Sequence, residues 1–214
     1  MSSRLVPVYA VAAGVLMATF QLVRPWGDVS EEPTAMAEAF ADPRWVVAHL
    51  AGAAAFVMLA LLAQAVVTSG LRDLSVRRRS PIARIARDGA ALGVAMVLPY
   101  YGSETFALHE IGRAALAGSS VDVVALSGSI RMNLAAVILF GVGLLLVAAA
   151  MLCLAVVASR AGASRWGAWP LGVLSVLALP QFVLPPVGRM AYGVAFLVAA
   201  VLFAVSWSRR PTRG

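Results

Sequence analysis

Residues 132–158 read MNLAAVILFGVGLLLVAAAMLCLAVVA, twenty-seven consecutive positions without a charge. At about 1.5 Å of rise per residue, a helix of this length exceeds the roughly 30 Å hydrocarbon core of a bilayer. Working outward from it, five more apolar runs follow the same rule: Leu5 to Val23, Trp45 to Thr68, Gly89 to Ile111, Trp166 to Leu184 and Met190 to Ser208. Backbone polar groups find no water partner in lipid, so a helix is the form expected of each run. The fold expected is therefore all-α, a polytopic bundle of six transmembrane helices forming one transmembrane domain over residues 1–214.

Composition agrees. The 214 residues are 61% hydrophobic and 13% charged, with a mean hydropathy of +0.88. No internal repeat, linker or separate soluble domain is visible. The first run has no small-residue cleavage pattern, since Gln21-Leu22-Val23-Arg24 ends it, so it reads as a retained helix and not a signal peptide. The lone cysteine, Cys153, lies inside an apolar run, which leaves no intramolecular disulfide and no cysteine-based metal cluster.

The net charge of +7 comes from arginine alone. These arginines flank apolar segments, so they read as topology determinants and not as contacts for nucleic acid. Twelve of them (Arg4, Arg72, Arg77, Arg78, Arg79, Arg84, Arg87, Arg160, Arg165, Arg209, Arg210, Arg213) fall on one side of the bundle and five (Arg24, Arg44, Arg113, Arg131, Arg189) on the other. The positive-inside rule then predicts that both termini are cytoplasmic. Membrane lipid is the expected partner, with VRRRSPIARIAR at 76–87 a candidate contact for anionic headgroups. A homo-oligomer or a larger membrane complex also fits a chain of this size.

Two short elements are expected on the outer side. Ser30, followed by Glu31, Glu32 and Pro33, has the chemistry of a helix start, Met36 and Phe40 form an i, i+4 apolar pair, and Asp42-Pro43 ends the segment. The second candidate is SSVDVVALSGSIR at 119–131.

Polar residues inside spans are costly and point to function. Here they gather at one depth. Glu104 lies roughly 22 Å from the cytoplasmic start of its span. His49, Gln21, Asn133 and Gln181 fall at a comparable height in the outer half of theirs. Tyr100 and Glu104 share a helix face, as do Tyr101 and Thr105, and Pro99 favours a bend one turn earlier. An outward-opening polar pocket is the consequence.

Three chemistries suit such a pocket. His49 and His109, with Glu104 or Glu110, offer imidazole and carboxylate to a metal or haem, so a small hydrophobic or metal-containing ligand is the leading expectation. A membrane enzyme acting on a lipid or isoprenoid would use Glu104 as general acid or base, supported by Tyr100, Tyr101 and His49. Pro99, Pro180, Pro185 and Pro186 break helices in the way transporter sites do, which leaves a small transporter or an accessory subunit as a further alternative. No residue pattern fixes a cofactor.

Trp45 to His49-Leu50, Arg87-Asp88-Gly89 and Glu104-Thr105-Phe106, covering the middle third of the chain, give one resemblance. In this order they resemble uncharacterised multipass proteins common in actinobacteria. The resemblance implies a bacterial cytoplasmic (inner) membrane location and carries no activity with it.

Overall fold

The computed structural model describes residues 3–30, 32–70 and 80–211. Among these the chain is all-helical, without a strand. The elements in chain order are α1 (Leu5–Val23), α2 (Pro33–Ala41), α3 (Pro43–Gly70), α4 (Pro81–Arg84), α5 (Ala90–Gly102), α6 (Leu108–Leu116), α7 (Val123–Arg131), α8 (Leu134–Arg160), α9 (Arg165–Val176) and α10 (Pro186–Ser208). Four of them, α1, α3, α8 and α10, are long and apolar enough to cross a membrane, which marks the chain as a membrane protein.

From Pro81 to Leu116 the chain is helical throughout. Two π-helical turns, Ile85–Gly89 and Ser103–Ala107, join α4, α5 and α6 end to end, and the residues at each junction keep right-handed helical dihedrals. Pro99 lies inside α5 without ending it. The expected run Gly89 to Ile111 thus lies within a longer rod, with a π turn one step beyond the proline.

The fifth apolar run departs from expectation. Its helix, α9, ends at Val176 and not near Leu184; a 3₁₀ turn at Pro180–Val183 follows. The cause is local: a continued helix would need an N–H from residue 180 for the Val176 carbonyl, and Pro180 has none to give. Pro185, the cap of α10, and Pro186, its first residue, remove two more donors.

Helix ends elsewhere follow side-chain chemistry. Asn133 caps α8 through the Ala136 N–H, Asp122 caps α7 through Ala125, and Ser164 caps α9 through Gly167. At the start of α2 the cap is Glu32, which accepts from the Thr34 and Ala35 N–H groups; Ser30 instead accepts from the Glu32 N–H. α6 and α8 stop at Gly118 (φ 85°) and Gly162 (φ 96°), where N–H groups five residues on close back onto Ala114 and Ala158. The arginine run at 77–79 lies outside the described residues.

Packing follows the small residues. α1 lies between α3 and α10, α5 packs on α8, and α9 packs on both α8 and α10. α5 and α8 meet backbone to backbone at Gly93 and Gly143: a Cβ on Gly93 would lie 2.7 Å from the Gly143 carbonyl oxygen, and one on Gly143 2.8 Å from that of Gly93. Alanine-rich faces of α3 and α8 let the backbones meet in the same way, the usual packing where lipid supplies no hydrophobic drive between helices. Exposed Leu134, Ile138 and Leu145 on α8, with Val194 and Val198 on α10, form the wall a bilayer would touch.

One end of the bundle carries a cap. α2, α6 and α7 bury Met36, Ala37, Phe40, Leu108 and Val123 against Trp45 at the start of α3. His109 ties α6 to α2 through its Nδ1, 2.7 Å from the Phe40 carbonyl. A floor of small and aromatic side chains lies directly beneath this cap, and the polar residues meet there.

Candidate functional site

The π turn at Ser103–Ala107 sets the site's geometry. In an α-helix the Leu108 N–H would donate to the Glu104 carbonyl; here it reaches one residue further, to Ser103. The freed Glu104 carbonyl accepts instead from the indole Nε1 of Trp45, 2.5 Å away. Trp45 is fully buried, so this bond fixes α3 against the rod and sets the direction of the Glu104 side chain.

That side chain is buried and ion-paired. Both Glu104 carboxylate oxygens accept from Arg131 at the end of α7, from Nε at 2.8 Å and Nη2 at 3.0 Å. The same Nη2 donates to Asp28 Oδ2 at 3.0 Å, and Arg24 donates to that oxygen as well. Arg24 and Asp28 are four residues apart just beyond the end of α1, Arg24 as its C-cap and Asp28 in the 3₁₀ turn Gly27–Val29. Burial works against the charge on Arg131, yet Glu104 and Asp28 beside it outweigh the penalty and hold its pKa above the ordinary guanidinium value.

Aromatic rings bracket the network. The Trp45 ring lies under both Arg24 and Arg131, at 4.9 and 5.8 Å from ring centroid to guanidinium carbon. Trp26 is shared in turn by Arg24 at 4.9 Å and Arg189 at 5.6 Å. Three guanidiniums and two carboxylates therefore occupy one compact region, linked by two indoles.

A cavity of about 380 Å³ opens beside them. Its polar side carries Arg24, Asp28, Glu104, Arg131, Arg189 and His49; its apolar side carries Phe20, Phe140, Phe182 and Val137, with Tyr100 and Tyr101 between. Tyr100 stacks on Phe140 at 4.3 Å, and Phe140 meets Phe182 at 5.8 Å. Exposed Val29, Met132 and Val137 mark where the cavity meets its surroundings. The size falls at the small end of ligand pockets, which run from about 300 to 1,000 Å³.

His49 is held at the wall. Its Nδ1 lies 2.8 Å from the Trp45 carbonyl, an acceptor, so Nδ1 carries the proton and Nε2 is left toward Glu104, 3.7 Å from Oε2. Of the residues singled out by sequence, Glu104, Tyr100, Tyr101 and His49 come together here. His109 serves the α2–α6 contact, Glu110 is exposed and pairs with Arg113, Asn133 caps α8, and Gln21 pairs with Gln181 at 3.2 Å. None of these five lines the cavity. Among the described residues no three His, Cys, Asp or Glu side chains gather as a metal site would require.

Sequence reasoning missed Arg24, Arg131 and Arg189, which it counted only as topology markers, and it did not single out Asp28. The available clue was the i, i+4 spacing of Arg24 and Asp28 next to a span end, where an ion pair is cheap to form. Arg131 carried no such clue, because its partners are 27 and 103 residues away. No family model matches the sequence, and no curated protein or solved structure matches it.

Proposed function

We propose that this is a six-span protein of a bacterial cytoplasmic membrane, with cytoplasmic termini, whose outward-facing cavity binds a small hydrophobic molecule. The observation that carries the reading is the cavity itself, where an aromatic wall meets a buried arginine–carboxylate network. Four helices meet the criterion for a span directly. The rod from α4 to α6 and the α9 segment with its 3₁₀ turn supply the fifth and sixth. The arginine asymmetry supports the orientation, since α2, α6 and α7 lie on the arginine-poor side.

The metal-containing version of this ligand draws on His49 alone, because His109 is engaged elsewhere. A second reading, chemistry on a bound lipid or isoprenoid, rests on the 3.7 Å approach of His49 Nε2 to Glu104, which could place a proton acceptor at the wall. Turnover of a lipid extract that persists in both His49→Gln and Glu104→Gln would remove that reading.

Two measurements test the main proposal. In intact cells a membrane-impermeant maleimide should label Ser119→Cys, in the cap, and spare Ser164→Cys, at the opposite end; the reverse pattern overturns the orientation. In phosphatidylcholine nanodiscs, radiolabelled hexadecanol or hexadecanesulfonate should bind saturably. Val137→Trp, which fills the cavity mouth, should abolish that binding. Absence of saturable binding by both probes overturns the reading.

A further inference from the structure

We infer that the cavity takes an amphiphile with an anionic head group, a phosphate, carboxylate or sulfonate on an apolar tail, seated at Arg189 and Arg24. This rests on the ligand-binding reading above and adds the charge of the ligand to it.

The charge balance around the cavity is uneven. Arg24, Arg131 and Arg189 face Asp28 and Glu104, so one positive charge remains. The excess localises at Arg189. Arg131 is committed to Glu104 and Asp28, and Arg24 to Asp28. Arg189 instead donates its Nε to the Leu184 carbonyl at 2.9 Å and an Nη2 to the Phe182 carbonyl. Among the described residues it makes no ion pair. Carbonyls orient a guanidinium without neutralising it, and the remaining face of the fork is the part suited to a planar or tetrahedral anion.

Arg24 adds a second, independent sign. It is over nine-tenths buried, lines the cavity, and its Nε has no hydrogen-bond partner. A buried guanidinium left partly unsatisfied is costly unless something else is bound nearby. Trp26 has Arg24 at 4.9 Å and Arg189 at 5.6 Å from its ring centroid, so the two cations share one end of the cavity that both line.

A cationic head group fits less well. Arg131 occupies both oxygens of Glu104 and shares Asp28 Oδ2 with Arg24, so of these carboxylate oxygens Asp28 Oδ1 alone, itself buried, has no hydrogen-bond partner. One buried acceptor is thus left open, against three guanidiniums and a net positive charge around the cavity. For the tail, the rings of Tyr100, Phe140 and Phe182 form a continuous apolar row. This row faces the level at which α9 has already ended, and exposed Val137 lies at its rim. A cavity of about 380 Å³ holds a head group and the first part of a chain; the rest of the chain leaves past Val137 toward the bilayer.

The test compares hexadecanesulfonate, ionised at any working pH, with hexadecanol on the unaltered protein in phosphatidylcholine nanodiscs. The expected result is sulfonate binding at least tenfold tighter, the scale of one charge-assisted hydrogen-bonded contact. Arg189→Gln should weaken sulfonate binding about tenfold and so narrow the gap to hexadecanol. Equal affinities of the two probes overturn this inference and leave the ligand-binding reading standing. Tighter binding of hexadecyltrimethylammonium overturns it too. No saturable binding of either neutral or anionic probe overturns both. Exchanging phosphatidylcholine for phosphatidylglycerol separates the sources: displacement of the sulfonate assigns the seat to a membrane lipid's phosphate, and retention assigns it to a free amphiphile, with the anionic chemistry upheld in each case.

Discussion

Arg131 holds both carboxylate oxygens of Glu104 across 27 residues of sequence, joining the end of a cap helix to the middle of the rod from α4 to α6. The pair is mostly buried, with side-chain exposures of 19% and 10%. Removing one partner of such a pair leaves the other charged and desolvated, which costs about 3–5 kcal/mol. Arg131→Gln should therefore lower the thermal midpoint in detergent sharply. The double variant Arg131→Gln with Glu104→Gln should recover part of the loss, because two amides can pair without a net charge. A double variant no better than the single one would mean the ion pair is not the source of the stability.

Trp45→Phe keeps the buried ring volume and removes one donor. The Glu104 carbonyl released by the π turn then has no partner, at a cost of about 1–3 kcal/mol. Thermal unfolding should show that loss, and amide exchange should speed up around residues 103–108 more than in α8. Unchanged exchange there would show that the indole does not hold the turn.

Gly93→Ala forces a methyl into the Gly143 carbonyl, where the approach would be 2.7 Å. The atom it meets is backbone and cannot swing aside, so α5 and α8 must separate, with a penalty of about 1–3 kcal/mol. Gly141→Ala, two residues from Gly143 with nothing within 4 Å, is the matched control and should be neutral or slightly stabilising. Equal midpoints for the two variants would contradict the close approach.

Glu32 gives a pH signature outside the spans. The Thr34 and Ala35 N–H groups it accepts from lower its pKa below the model-compound value of 4.5. A lowered folded-state pKa contributes stability that is present above the unfolded value and lost as pH falls through the folded one. Glu32→Gln should thus destabilise the cap at pH 7, with the difference from the parent protein shrinking below pH 4.5. Cap melting followed by proteolysis near residues 33–41 at several pH values reads this directly. A difference that grows in acid would reverse the assignment.

Much of the fold was legible because lipid leaves a helix few alternatives. Uncharged length located α1, α3, α8 and α10 to within a few residues of their ends. The caps were half legible: Asp42 ended α2 as its sequence suggested, but Glu32 and not Ser30 began it, since the proline at 33 moved the first helical position forward. The end of α9 was misjudged because hydropathy does not register a missing N–H. At the site, Glu104, Tyr100, Tyr101 and His49 were found by their cost of burial. The arginines were not, because a cation near a span end needs no explanation until its partner is seen. Arg131 gains its meaning only from tertiary contacts with Asp28 and Glu104, and no local spacing encodes those.

The π turn at Ser103–Ala107 also fixes how the two halves of the rod are phased. It adds one residue to a helix, and each residue of an α-helix turns the chain by about 100°. Upstream, Tyr100 and Tyr101 face the cavity; downstream, Leu108 and Gly112 face α2, where a Cβ on Gly112 would lie 2.6 Å from that of Phe40. Deleting one residue from the turn would leave a smoother helix and a rotated cap, with His109 swung away from the Phe40 carbonyl. The extra residue works as an angular offset that lets one continuous helix serve two differently oriented surfaces.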